Sequence, residues 1–139
     1  MLTRFLISGL AGAAAIFIMA GVLFGVVFAE FFASAIPPEF AGINRAAPNY
    51  ALIAAADLLY AGLLTFILSS LGGAGTFRRG AIFGLVIGFV VVLHFDLLSA
   101  ATTYLTTPAS VAVNAAVSGV MSGVGGGVIG MVLGRLERR

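Results

Sequence analysis

Four apolar runs, each long enough to cross a bilayer, constrain this chain more than any other feature. They cover residues about 5–32, 50–71, 81–104 and 109–133. A spanning helix needs about 20 predominantly apolar residues. The other structure able to span lipid is a closed β-barrel, which needs shorter segments of alternating polarity. Uninterrupted apolar runs do not fit that pattern. Apolar residues make up 61% of the chain and charged residues 9%, against about 25% charged in soluble domains. Such a chain cannot cover a water-facing surface. The expected fold is one all-α domain over residues 1–139, with the lipid bilayer as its first partner.

Breakers divide the runs. IPPEFAGINRAAPN, residues 36–49, holds three of the four prolines and reads as an ordered or interfacial loop. LGGAGTFRRG, residues 71–80, reads as a glycine-rich turn. TTPAS, residues 106–110, reads as a tight turn in which Thr106 or Thr107 starts the next helix, with Pro108 in its first turn. Short connections imply antiparallel neighbours, so the expected architecture is an up-down-up-down bundle. The start MLTR and the Ala33-Ser34-Ala35 triplet resemble a signal peptide. The apolar run is longer than the roughly 7–15 residues of a signal core, so we read a retained helix.

The arginines orient the bundle. With the N-terminus in the cytoplasm, that side carries Arg4, Arg78, Arg79, Arg135, Arg138 and Arg139, and the other side carries Arg45 alone. This bias places both termini in the cytoplasm of a bacterial inner membrane. Every basic residue is an arginine, and none forms a stripe interleaved with aromatics, so nucleic acid is not an expected partner. The chain has no cysteine, which excludes disulfides and thiolate metal sites. It has no tryptophan either, leaving Tyr and Phe for any interfacial belt.

Strongly polar side chains inside the runs are few, and all lie at the midplane or outside it. VVVLHFDLLSA, residues 90–100, sets His94 near mid-membrane and Asp96 roughly 5 Å toward the exterior at 1.5 Å per residue. Asp57 falls at a similar depth on the second run, Asn114 in the outer third of the fourth, and Glu30 near the outer end of the first. Tyr60 sits close to the middle of the second run. Charges at such depth cost several kcal/mol by a contested amount. Asp57 and Asp96 are therefore not expected to be both ionised unless a cation or a protonated His94 lies between them. Residues two apart on a helix point about 200° away from each other. Asp96 shares its face with Gly84, Gly88, Val92, Ser99 and Thr103, a small and polar stripe suited to a helix contact. His94 shares its face with Ile87, Val90, Val91, Leu97, Leu98 and Ala101, which suits lipid or a partner. Asp96 is either a buried hydrogen-bonded carboxyl or a proton or ligand site. His94 either bonds a neighbouring helix or meets a second subunit or a metal-centred ring such as haem or chlorophyll. No cofactor is specified.

The fourth run ends SGVMSGVGGGVIGMVLG, residues 118–134. Ser118, Ser122, Gly126, Gly130 and Gly134 recur every four residues, as do Gly119, Gly123 and Gly127. Such ridges let helix backbones approach closely in lipid, where packing drives association. They serve either packing within one bundle or a homo-oligomer or partner membrane subunit. No enzyme signature is present, and we expect no enzyme: GxSxG, HExxH and the phosphate loop are missing, and GVGGGVIG lies inside a span with no strand before it. Small multidrug-resistance transporters also have four spans, but they carry a mid-span glutamate and tryptophans. Here Glu30 lies near a span's end and tryptophan is missing.

AGVLFGVVFAEFF in the first run, GAIFGLVIGF followed by FDLLSAATTYL in the third, and GGGVIGMVLG in the fourth give the chain its character. In these pieces it resembles uncharacterised small four-span bacterial inner-membrane proteins, a resemblance that implies no activity. Two functions are consistent with the sequence. One is a membrane interaction or accessory subunit that packs through its glycine ridges, with a pigment- or haem-containing complex as one setting. The other is a small proton- or cation-linked transporter or channel using Asp57, His94 and Asp96.

Overall fold

The computed structural model describes residues 2–40, 42, 43, 45, 47–71 and 75–137. The sequence-based turn at 71–80 is therefore described only at its ends, and Arg138 and Arg139 lie outside the described residues. The chain forms helices α1 (Leu2–Val22), α2 (Ala29–Ser34), α3 (Tyr50–Ser70), α4 (Phe77–Thr102) and α5 (Pro108–Glu137). A π-helical turn at Leu23–Val27 follows α1, and a single 3-10 turn, Pro38–Phe40, lies in the proline loop. Four helices are long and apolar enough to cross a membrane: Leu2–Val27, Tyr50–Ser70, Phe77–Thr102 and Pro108–Glu137.

The helix starts follow from local chemistry. The Asn49 side chain accepts the Leu52 N–H at 3.2 Å and opens α3. Thr76 accepts the Arg79 N–H at 3.3 Å and opens α4 four residues earlier than its apolar run suggests. Thr107 accepts the Ser110 N–H at 3.1 Å, with Pro108 as the first residue of α5. In each case a short oxygen-bearing side chain satisfies a donor that has no partner inside the helix.

The first apolar run departs from a single regular span. At Leu23–Val27 the hydrogen bonds skip one residue further, and the Phe28 N–H reaches the Leu23 carbonyl at 2.8 Å. Phe28 then leaves helical geometry at φ −110°, ψ 11°, and α2 begins. No proline or glycine–serine pair causes the break. The rings of Phe24, Phe28 and Phe31 instead gather on Phe32, with centroids 5.3, 6.4 and 5.3 Å away. Aromatic pairs at such spacings are favourable beyond the area they bury, and nothing in the apolar pattern announces them.

α5 is the hub. It packs along most of α4, along α1 and more lightly on α3, whereas α3 and α4 barely meet. The core lies where α1, α3 and α5 converge, around Ala13, Ile16, Ala61, Leu64, Leu68, Ile129 and Leu133. Two reciprocal insertions lock α1 to α5: Ile129 fills the space over Gly12, and Ile16 fills the space over Gly125. Along the α4–α5 contact, Gly80 meets Gly126, Gly84 meets Ser122, and Gly88 meets Ser122 and Ser118. Residue numbers rise on one helix as they fall on the other. Gly119 and Gly123 lie under Phe89 and Leu85, and Gly127 receives the ring of Phe77. Gly134 closes against the backbone of Gly75, and Gly130 lies over Gly80. In lipid, contacts of this kind replace the hydrophobic drive that water supplies to soluble folds.

Candidate functional site

The polar side chains singled out from the sequence fall on three separate surfaces. Asp96 turns toward α5, where its Oδ2 accepts a hydrogen bond from Asn114 Nδ2 at 2.7 Å. Asp57 faces the groove between α1 and α3, beside Leu10, Ala13, Phe17 and Leu58, where a cavity of about 270 Å³ opens. Its Oδ2 is enclosed and has no hydrogen-bond partner. His94 is exposed on the far face of α4, its ring edge-on to Phe95 at 5.7 Å. Among the described residues, no group of three His, Cys, Asp or Glu side chains is close enough to hold a metal ion.

The remaining sequence-based candidates divide similarly. Ser99 is half-buried and its hydroxyl lies 3.4 Å from that of Thr103, which is exposed and ends α4. Glu30 is exposed on α2. Tyr60 packs against the core, and its enclosed hydroxyl lies beside Ser122 without a hydrogen bond of proper geometry. Gly84, Gly88, Ser118, Gly119, Ser122, Gly123, Gly126, Gly127, Gly130 and Gly134 are all buried. The chain's own helices cover them.

The Asp96–Asn114 pair lines a cavity of about 400 Å³ at the end of the molecule that carries the proline loop. Phe24 and Phe32 supply its aromatic wall, and Ser110 and Thr106 add hydroxyls. Ser110 is engaged with Thr107: its Oγ accepts the Thr107 N–H at 2.8 Å and donates to the Thr107 carbonyl at 2.9 Å. The Thr106 hydroxyl is enclosed and has no hydrogen-bond partner. Sequence reasoning placed Asp96 and Asn114 in the outer half of their runs but did not pick out Phe24, Phe32, Thr106 and Ser110 as site residues. A wide turn and a helix cap bring these four to the cavity, and hydropathy registers neither. Comparison with protein families, with curated proteins and with solved structures finds no match for the chain.

Away from the cavity, several hydroxyls on α3 bond within their own helix, whereas Ser8 Oγ, Asp57 Oδ2 and the Tyr60 hydroxyl are enclosed without a partner. Thr65 is fully buried and returns its hydroxyl to the Ala61 carbonyl at 2.7 Å. Ser69 and Ser70 do the same toward Phe66 at 2.9 and 2.8 Å. Such bonds to the preceding turn satisfy a helical hydroxyl without a partner from another element.

Proposed function

We propose that this chain is a non-enzymatic membrane protein that acts by lateral association, pairing α4 with α4 of a second copy. The observation that carries the reading is His94, a histidine exposed near the middle of a span on an otherwise apolar face. Around it Val90, Leu97 and Leu98 are exposed as well. Imidazole against hydrocarbon is costly. A neutral imidazole carries one donor and one acceptor, so two His94 rings that meet near a two-fold axis share one N–H···N bond that neither can make against lipid. The small-residue face of α5 is occupied inside the chain, which leaves the outer face of α4 as the association surface. A haem or pigment held between two imidazoles is the cofactor-bearing form of the same contact. The transporter reading has less support, because Asp57, His94 and Asp96 open onto different surfaces.

The absence of cysteine makes the test direct. Val90→Cys is expected to form a disulfide-linked dimer in native membranes on mild oxidation, while Leu59→Cys, exposed on α3, is not. A hydrogen bond worth about 1 kcal/mol between membrane helices shifts a dimer equilibrium about fivefold, so adding His94→Leu should lower the Val90→Cys yield by about that factor. Equal cross-linking at positions 90 and 59 ends the proposal. A visible absorbance band lost with His94→Leu identifies the cofactor-bearing form, and a colourless dimer identifies the hydrogen-bonded form.

The same reading places the protein in a bacterial inner membrane as an up-down-up-down bundle with cytoplasmic termini. It is supported by the opposed numbering of the helix contacts and by the clustering of Arg4, Arg78, Arg79 and Arg135 at helix ends away from the proline loop. With a membrane-impermeant maleimide, Ala47→Cys should label on intact cells and Glu137→Cys only after permeabilisation. The reverse pattern overturns this orientation.

A further inference from the structure

We propose that the cavity at the proline-loop end binds a small organic ammonium ion. The site faces the opposite way from His94 on α4, so it stands or falls independently of the dimer.

The cavity's volume of about 400 Å³ lies in the range that holds small ligands. It is far larger than a bare inorganic cation requires. Its walls combine two kinds of surface. Phe24 and Phe32 present aromatic rings, while Asp96, Asn114 and Thr106 present polar atoms. The Asn114 amide occupies only one oxygen of the Asp96 carboxylate. Among the described residues, no arginine forms an ion pair with Asp96, and its second oxygen has no hydrogen-bond partner. The enclosed Thr106 hydroxyl likewise has no partner. Buried polar atoms are normally satisfied, so the enclosed Thr106 hydroxyl asks what satisfies it, while the half-buried Asp96 keeps an oxygen open to a ligand.

These features select the ligand's chemistry. The free carboxylate oxygen and the Asn114 carbonyl oxygen both accept, which calls for a ligand rich in N–H donors. A cationic donor favours the carboxylate form of Asp96 and pairs with it. Aromatic faces attract ammonium groups and tolerate an apolar tail. An anion would meet the Asp96 charge, and a neutral hydrocarbon would leave the carboxylate and the Thr106 hydroxyl unsatisfied. Glu30 and Glu39 against Arg45 leave the segment that leads into and forms the proline loop with a small net negative charge, which favours a cation over an anion there. The wide turn at Leu23–Val27 brings Phe24 to the wall, and such turns recur where helices build sites.

Phenethylammonium and its neutral isostere 2-phenylethanol separate charge recognition from simple filling. In nanodiscs holding the full-length chain, phenethylammonium should bind at least about tenfold more tightly than the alcohol, read by calorimetry and by thermal shift. Asp96→Asn keeps the shape of the side chain and a hydrogen bond to Asn114, and it should erase that preference without unfolding the protein. Phe24→Leu should weaken the ammonium several-fold. Equal binding of the two probes, a preference that survives Asp96→Asn, or a lipid acyl chain that neither probe displaces would each overturn the assignment. If Asp96→Asn fails to fold, Thr106→Val carries the test, since losing the hydroxyl should weaken the ammonium while leaving the thermal midpoint of the free protein intact. Unchanged ammonium affinity in that variant is then the overturning result.

Discussion

Gly84→Val is expected to part α4 from α5 and to destabilise the native bundle severely. A Cβ at Gly84 would land on the Ser122 carbonyl, with the Gly126 Cα 3.1 Å away. Both obstacles are backbone, so no rotamer change relieves them. Overpacking a close-fitted core costs about 1–3 kcal/mol where side chains can shift, and here the whole helix must move. Within the chain α4 has no second helix to fall back on, because its packing there is almost entirely against α5. In detergent the melting midpoint should fall by about 10 °C or more, taking a few degrees per kcal/mol. Gly62→Ala is the control: nothing lies within 4 Å of a Cβ there, and alanine favours a helix over glycine by up to about 1 kcal/mol. Equal midpoints for Gly84→Val and the native chain would show that the α4–α5 contact is not what holds α4.

Asn114→Leu should produce the next largest loss. The amide of Asn114 is the sole hydrogen-bond donor to Asp96 among the described residues, and leucine leaves the carboxylate facing an apolar wall. Leaving a buried acceptor without its donor costs about 1–3 kcal/mol. Because Asp96 is only half-buried, the lower part of that range is expected. Asp96→Leu combined with Asn114→Leu should recover most of it, since removing both partners avoids an unsatisfied group. The pair's coupling, read from a double-mutant cycle in steric-trap or denaturant unfolding, should be about 0.6–2 kcal/mol, as for other hydrogen bonds between membrane helices. Additive single effects would mean that Asp96 draws on another donor.

The four helices long and apolar enough to cross a membrane were legible because hydropathy alone specifies them, and the faces of α4 were legible because helical periodicity does. The wheel separates Gly84, Gly88 and Asp96 from Val90, His94 and Leu97, and in the structure the first set turns inward while the second is exposed. The regular four-residue spacing of small residues on α5 could be read, but not its destination. A glycine ridge fits any close backbone, and only the fold sets Gly126 against Gly80 rather than against another copy. The hub position of α5 was likewise hidden, because chain order favours neighbours in sequence and says nothing of the α1–α5 contact. Depth along the axis put Asp57 near Asp96, yet depth carries no azimuth. The two carboxylates open onto different cavities. The break at Phe28 was invisible for a simpler reason: apolar residues read the same whether the turn holds one residue more or fewer.

That surplus residue sets the angular phase of everything beyond it in the first apolar run. With the wide turn in place, Ala29, Phe32, Ala33 and Ile36 line the ring-walled recess. Were residues 23–27 wound as an ordinary α-helix, each later residue would advance by about 100°. The slots of Ala29, Phe32 and Ala33 would then pass to Phe28, Phe31 and Phe32. Two of those exchanges set a phenyl ring where a methyl group now stands, and the recess would fill with the protein's own side chains.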